Sequence, residues 1–308
     1  MSKCKLSIHT ATYNRGYIIE NAYRSLQTQT CYDFEWVVTD DGSTDNTEEL
    51  FRRWTSEEKK FPIIYNKKEK GGIPRALNYG VNAVNGDYFF MLDSDDYVLP
   101  NAVEKLNAWI REIDTIDDIV AVGVARSYPD GEYIKGVPPL VDEKTGYIDA
   151  NNIDRKYYNL DADMSEAYKV NIMKKYPFPV WETEIYAPEQ LCFNAMALDG
   201  YKVRWHKDIL YICDYLQDGQ TKGNWNLFRR NPMGYAMACN QILKYEKGFL
   251  KRFKTAAQHI ALSIVGKNYQ YIRKSNALWL SFFTLPYGIA LAMRRKNQFR
   301  YDDPVNRK

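Results

Sequence analysis

Four short apolar or β-branched runs, KLSIHT at 5–10, EWVVTD at 35–40, PIIYN at 62–66 and DYFFML at 87–92, each end in a turn or polar residue. Runs of that length and composition read as buried strands. Between them Tyr17, Ile18, Ala22 and Leu26 recur at helical spacing, as do Leu50, Phe51 and Trp54, and then Ile73, Ala76, Leu77, Val81 and Ala83. Strands alternating with helices at this rhythm need crossover connections. The expected fold is therefore α/β, with a mostly parallel central sheet and helices on both faces. In such a sheet ligands gather beyond the carboxyl ends of the strands. Polar residues concentrate there: Thr12-Tyr13-Asn14-Arg15 after the first run, Asp40-Asp41-Gly42-Ser43 after the second and Asp93-Ser94-Asp95-Asp96 after the fourth. Three loops should meet at one crevice.

Beyond about residue 115 the alternation fades. Residues 119–150 hold the strand-like IVAVGVA and then a Gly, Pro and Asp-rich segment, read as an acceptor-side insertion. Residues 189–200 read as a helix leading into two strands, YKVRWH and ILYICDYL, and 228–275 as mostly helical. This predicts one domain over 1–225, with a donor half at 1–100 and an acceptor half at 101–225, and a helical C-terminal extension over 226–308. Residues 277–293 (ALWLSFFTLPYGIALAM) carry no charge but are interrupted by Pro286 and Gly288. That length is at the lower limit for a spanning helix, so a broken hairpin or interfacial helix is expected, with a membrane-associating segment at 277–295. Arg294, Arg295, Lys296, Arg300, Arg307 and Lys308 follow it, a pairing suited to anionic lipid headgroups.

The net charge of +3 gives no electrostatic case for nucleic acid, which is not expected as a partner. Five cysteines without a CxxC pair argue against a disulfide framework and a zinc cluster and favour a reducing, cytoplasmic compartment. The start MSKCKLSIHTATYNR turns straight into a strand pattern, so no signal peptide is expected. His9, His206 and His259 are too scattered for a zinc site.

Three motifs carry chemistry. Clustered carboxylates at Asp93, Asp95 and Asp96 repel one another and call for a hard cation, Mg²⁺ or Mn²⁺, which could bridge a diphosphate; the alternative is an acidic turn capping a helix. Asp41, beside Gly42, can accept hydrogen bonds from a nucleotide, while Thr44 to Thr47 also fit a plain helix start. Gly71-Gly72 allow close approach of a ligand, with Arg75 and Asn78 on the same face of the helix that follows; a structural cap is the alternative. The spacing is neither a P-loop nor GxGxxG.

The ordered set TYNR, DDGSTDNT, GGIPRALN and DSDD, spread over residues 4–100, resembles the family 2 glycosyltransferases of GT-A fold. The resemblance implies an inverting, metal-dependent glycosyl transfer from a nucleotide-diphosphate sugar, with UDP favoured and GDP and dTDP open. It implies that Thr12, Tyr13 and Arg15 line the nucleotide pocket and that Asp41 contacts the base. It also implies that Asp93 touches ribose or metal and Asp95 binds the metal. Thr10, Asn14, Gly71, Gly72, Arg75, Asn78 and Ser94 complete the expected donor site. An inverting enzyme needs a base to take the acceptor proton. The family's usual Glu-Asp pair is replaced here by Pro188-Glu189, with Gly200 eleven residues beyond Glu189, which makes Glu189 the expected base. Trp181, Glu182 and Glu184 are expected to hold the acceptor, Glu182 or Glu184 serving as fallback base. The stretch from Asp214 to Thr221 resembles a segment closing the active site, with Asp218 as a metal or phosphate contact. Bacterial members with such tails build surface polysaccharides such as capsules on polyprenyl-diphosphate carriers, so a glycan or lipid-linked acceptor at the inner face of the cell membrane is implied. The rival readings are a nucleotidyltransferase, for which a basic Gly-rich first loop is missing, and a non-catalytic nucleotide-sugar-binding assembly subunit.

Overall fold

The computed structural model describes residues 5–213 and 224–301. The first strands and helices follow the expected alternation: β1 (Leu6–Thr12), α1 (Glu20–Gln27), β2 (Phe34–Asp40), α2 (Thr47–Glu57), β3 (Ile63–Lys67), α3 (Ile73–Ala83) and β4 (Tyr88–Met91). Next come β5 (Tyr97–Val98), α4 (Ala102–Ile113), β6 (Ile119–Ser127), β7 (Tyr147–Ala150), a 3₁₀ segment at Asn152–Tyr158, β8 (Met164–Lys169), α5 (Val170–Met173), α6 (Gln190–Leu198) and β9 (Lys202–Ile212). The remaining elements are α7 (Asn224–Arg230), α8 (Pro232–Tyr245), α9 (Phe249–Val265), α10 (Tyr269–Ile272) and α11 (Leu278–Tyr301).

Among the described residues the strands form one mixed sheet in the order β3-β2-β1-β4-β8-β6-β9-β5, with β7 also paired to β9. The run β3-β2-β1-β4 is parallel throughout, as the alternation demands. From β8 onward antiparallel pairs enter: β8 opposes both β4 and β6, while β5 and β7 oppose β9, which itself runs parallel to β6. Every residue of β2 is buried, as expected for a strand covered on both faces. Its Trp36 is fully enclosed among Tyr23, Phe51 and Trp54. YKVRWH and ILYICDYL, expected as two strands, contribute to the single β9. Gly123 pairs with Trp205 and Ala125 with Ile209, so the polar residues His206, Lys207 and Asp208 form a bulge instead of a turn. A Cβ on Gly123 would lie 2.4 Å from the Trp205 ring, so glycine is what lets the indole cover that strand.

The chain divides into two compact units, and the boundary differs from the expected one at 225. The first holds residues up to 177 and the stretch from 195 through β9; the second holds 178–194 and the C-terminal helices. Segment 178–194 belongs with those helices because its groups bond to them. The Asn231 Oδ1 accepts from the amides of Ile185 and Tyr186 at 3.0 and 3.1 Å, Gln241 donates to the Leu191 carbonyl at 2.7 Å, and Trp181 packs edge-on against Tyr271.

Nor is the hydrophobic segment at 277–293 a broken hairpin: α11 runs on through Pro286. Proline forfeits one helical hydrogen bond, a loss of about 3 kcal/mol in an isolated helix. Here the helix is supported along its length by packing on α9, where Gly288 meets Ile260 and the Ala257 carbonyl. Among the described residues no helix is long and apolar enough to cross a membrane.

All three histidines are kept neutral by burial. His9 is pushed down to about 3 and His206 to about 4, burial being the main cause for each, and burial lowers His259 as well. His9 stacks on Phe89 and shares a 2.9 Å hydrogen bond with Thr39; His206 lies flat on Trp109 at 3.7 Å. The unfolded rings take up protons near pH 6.5 and the folded ones do not, so each contributes stability that is complete above 6.5 and is lost toward its folded value. The expected slope is about 1.4 kcal/mol per pH unit per histidine. Urea titrations should give a clearly lower unfolding midpoint at about pH 5 than at about pH 7; equal midpoints would show that the rings are not held neutral.

Candidate active site

In the parallel ladder Thr12 lies beside Asp40 and His9 beside Met91, so the loops after β1, β2 and β4 leave the sheet at one edge. The first two loops are laced together. Asn14 adopts a left-handed conformation (φ 53°), which asparagine tolerates; its amide donates to Ser43 Oγ at 2.8 Å and its Oδ1 accepts from the Thr44 amide at 2.8 Å. The Gly16 amide donates to Asp45 Oδ2 at 2.9 Å, and Asp45 Oδ1 accepts from the Thr47 amide and hydroxyl at the start of α2. Asn14, expected to bind donor, therefore spends its side-chain oxygen on the loop after β2. Thr10 is also corrected: it is fully buried in β1 and its hydroxyl accepts from the Trp36 indole at 3.0 Å.

The two aspartates ending β2 are anchors. Asp40 is completely buried, accepting from the Ser43 amide at 2.7 Å and from the Tyr65 hydroxyl. Asp41 reaches across to the chain before α3: its Oδ1 accepts from the Gly71 amide at 2.7 Å and its Oδ2 from the Gly72 amide at 2.8 Å. This fork holds Gly72 in a conformation (φ 91°) that other residues rarely adopt, immediately before α3. Where the sequence pointed to base contact, the structure gives Asp41 a prior task of shaping the Gly71-Gly72 loop. Arg75 turns back to the Gly71 carbonyl at 2.7 Å, and Asn78 lies partly buried one turn further along α3. Around the opening, Tyr13 is 38% exposed and carries the Lys70 ammonium over its ring at 3.7 Å. Among the described residues the buried Thr12 hydroxyl has no hydrogen-bond partner.

The acidic loop after β4 does not stand uncompensated, because a basic side chain reaches it from β6. Arg126, at the end of β6, places Nη1 at 2.9 Å from Asp93 Oδ2 and 3.7 Å from Asp96 Oδ2. Its Nε donates to the Met164 carbonyl and Ser165 Oγ, and its guanidinium stacks 4.1 Å from the Tyr211 ring. The Tyr211 hydroxyl in turn accepts from the Asp93 amide at 2.8 Å. Arg15 approaches Asp95 at 3.9 Å, tying the loop after β1 to the loop after β4. Burial, and then the neighbouring Asp93, push the Asp96 carboxyl up to about 7, with Arg126 opposing. Ser94 is buried within the loop, while Asp93 keeps about half of its side chain exposed. Among the described residues no group of three or more His, Cys, Asp or Glu converges as a metal cage. A hard divalent cation needs only one or two protein carboxylates when a diphosphate supplies further oxygens, and Asp93 and Asp95 fit that demand.

Arg126 and Tyr211 escaped the sequence reading. They sit in ordinary strand patterns, and only the sheet order brings them under a loop more than thirty residues earlier in the chain.

Residues expected on the acceptor side fall in the second unit. Glu184 is buried and accepts from the amides of Met233 and Gly234, both at 2.7 Å, so it caps the first turn of α8. Burial raises its carboxyl and these two bonds oppose the rise. Both its oxygens are thus bonded to the backbone of α8, where the sequence pointed to an acceptor ligand or a fallback base. Trp181 is likewise spent on the core around Met233, Ala236 and Leu262. Glu182 is exposed. Glu189 is partly exposed immediately before α6, where its carbonyl accepts from the Cys192 amide at 2.9 Å, and its charge helps raise the Tyr186 hydroxyl and the Cys192 thiol, each lifted mainly by burial. Asp218 and the segment around it lie outside the described residues.

A parallel half-sheet whose strand-end loops gather carboxylates and a glycine turn, joined to antiparallel strands that supply an arginine beneath them, is the α/β architecture of the GT-A glycosyltransferases. The Glycosyl transferase family 2 profile matches residues 7–167, and the chain belongs to that family. It is 30% identical over 303 residues to an uncharacterized glycosyltransferase of Rickettsia typhi, covering 94% of this chain and 85% of the relative. The GalNAc(5)-diNAcBac-PP-undecaprenol beta-1,3-glucosyltransferase of Campylobacter jejuni is 31% identical over 102 residues, 33% of this chain and 33% of its own length. Other curated relatives are matched over less than half of their own length. Among solved structures, Staphylococcus aureus TarS 1-349 in complex with UDP-GlcNAc superposes with a TM-score of 0.60 at 17% identity, covering 96% of this chain and 91% of that one.

Replacing Asp41 by Ala should leave the Gly71 and Gly72 amides without acceptors and lower stability by about 2–3 kcal/mol. A thermal melt of Asp41→Ala beside the parent protein checks this; an unchanged midpoint would mean that the Gly71-Gly72 turn holds without the carboxylate.

Proposed function

We propose that the chain transfers a sugar, with inversion, from a nucleotide-diphosphate sugar to a hydroxyl of a glycan or lipid-linked acceptor. The observation that carries this reading is the set of contacts joining the donor-side loops: Asn14 to Ser43 and Thr44, Asp41 to Gly71 and Gly72, and Arg15 to Asp95. Tyr13 and the Thr12 hydroxyl border the ledge these loops make, which suits a nucleotide with its diphosphate directed toward Asp93 and Asp95. UDP is the nucleotide we favour. When bound, Mn²⁺ or Mg²⁺ at Asp95 and Asp93 would neutralise charge gathering on the departing diphosphate. Arg15 would add positive charge on the same side, and Arg126 holds Asp93 and Asp96 in place.

We assign the base to Glu189. Its carboxylate takes the proton of the acceptor hydroxyl as that oxygen attacks the anomeric carbon; the bond from that carbon to the diphosphate oxygen breaks, and the nucleoside diphosphate leaves with the bonding pair. Its position beside the first turn of α6 suits a carboxylate, because helix amides favour negative charge there. The homology to an enzyme named for an undecaprenol-linked acceptor supports a polyprenyl-diphosphate carrier as acceptor, and with it a peripheral place on the inner face of the cell membrane.

The test is nucleoside diphosphate release from UDP, GDP and dTDP sugars, with Mn²⁺ or Mg²⁺ and with EDTA. Release from one donor, abolished by EDTA, is expected. Glu189→Gln should reduce acceptor-dependent transfer by about a hundredfold or more while donor binding, read by calorimetry, persists. Full transfer by Glu189→Gln would remove the base assignment, and failure of every donor to bind or react would remove the transfer reading.

A further inference from the structure

Helix α11 is built inside out for a helix in water. From Ser281 to Ala292 the face it turns to its own unit is made of small or hydroxyl side chains: Ser281, Thr284, Gly288 and Ala292 are all buried, as is Ala277 just before the helix. Most of its large apolar side chains up to Met293 point away, while Phe299 near its end is buried and Leu280 is partly buried. Trp279 is 82% exposed, Phe283 72%, Phe282 69% and Met293 63%, with Leu278 and Tyr287 also exposed. A water-facing helix ordinarily shows the reverse, apolar stripe inward and polar face outward. The start of α9 extends the patch: Phe249 is 75% and Leu250 63% exposed, and Phe253 lies 5.7 Å from the Tyr287 ring, joining the two helices into one apolar face. Exposed apolar side chains contiguous over two helices mark an interaction surface, not ordinary scatter.

Charge says what covers it. From Lys247 to Tyr301 the sequence contains no Asp or Glu, while Lys and Arg occur eleven times, in a chain whose net charge is only +3. Exposed Lys247, Lys251 and Lys254 flank the α9 end of the patch, and Arg294 and Lys296 follow Met293 on α11. Aromatic and apolar side chains within a mainly basic border, Glu246 before α9 being the nearby exception, complement an anionic lipid surface, where Trp and Tyr sit at headgroup depth and the cations meet phosphates.

We propose that the outer face of α11 and the first turns of α9 dock on an anionic bilayer, with α11 lying along the interface and the small-residue face kept for α9. This rests on the peripheral placement proposed above and adds the surface that produces it, together with a requirement for anionic lipid. A docked α11 leaves its apolar side chains in the acyl boundary while Arg294 and Lys296 reach the headgroups.

The experiment is co-sedimentation of the full chain with vesicles of phosphatidylcholine alone and of phosphatidylcholine carrying about a quarter phosphatidylglycerol, using the parent protein and a Trp279→Ser/Phe283→Ser variant. Both side chains are exposed, so the variant should keep its circular dichroism, thermal midpoint and donor hydrolysis. The parent should sediment with the anionic vesicles, weaken as salt is raised, and stay in solution with the neutral ones, and the variant should bind about tenfold more weakly or worse. Equal binding by the variant would overturn the surface assignment while leaving membrane attachment standing. No binding by the parent, with donor hydrolysis intact, would overturn the docking and leave the transfer reading untouched. A parent dimer in solution that the substitutions dissolve would overturn it in favour of a second copy covering the face.

Discussion

The carboxylate of Asp41 accepts two backbone amides from a segment thirty residues further along the chain, and the donor-side loops take their shape from that fork. Gly72 has to hold a left-handed backbone at the entry to α3, and a buried anion bonded to two successive N–H groups is strong enough to keep it there. Asp40, next door, fixes the turn on its own side through the Ser43 amide. One pair of adjacent acids therefore sets both the turn after β2 and the approach to α3. Because the loop after β1 is in turn bonded to Ser43 and Thr44, a disturbance at β2 would be felt in all three.

The same economy governs the charges after β4. A loop with three aspartates would be expected to open by repulsion, yet Arg126 is held beneath it by Ser165, the Met164 carbonyl and the Tyr211 ring, in a place where it can pair with two of them. Part of the charge gathered in this loop is thus balanced from within the sheet, by Arg126 on Asp93 and Asp96.

How much of this could be read beforehand follows a physical line. Four strands, three helices and the loops between them were legible because burial imprints a local period on the sequence, and the resemblance of TYNR, DDGSTDNT, GGIPRALN and DSDD carried the fold class. What was not legible depends on partners far apart in sequence. Thr10 looks like a donor-site residue until the Trp36 indole is seen to bond it, and Glu184 looks like a candidate acid until the amides of Met233 and Gly234 claim both its oxygens. The break expected between YKVRWH and ILYICDYL was a bulge, because three polar residues can be looped out of a ladder without ending it. Pro286 misled in the same way: its penalty is local, whereas the packing that carries α11 through it is tertiary.

The small inward face of α11 has an effect on how this part of the chain can change. Gly288 fixes how closely the helix lies on α9, since a Cβ there would press within 2.6 Å of Ile260, and Ser281, Thr284 and Ala292 are buried along the same face. The residues between them bear almost none of that load. Stability and surface character are thus written in separate positions of a single helix, so the outward ones are free to diverge toward a different surface while the fold beneath stays the same.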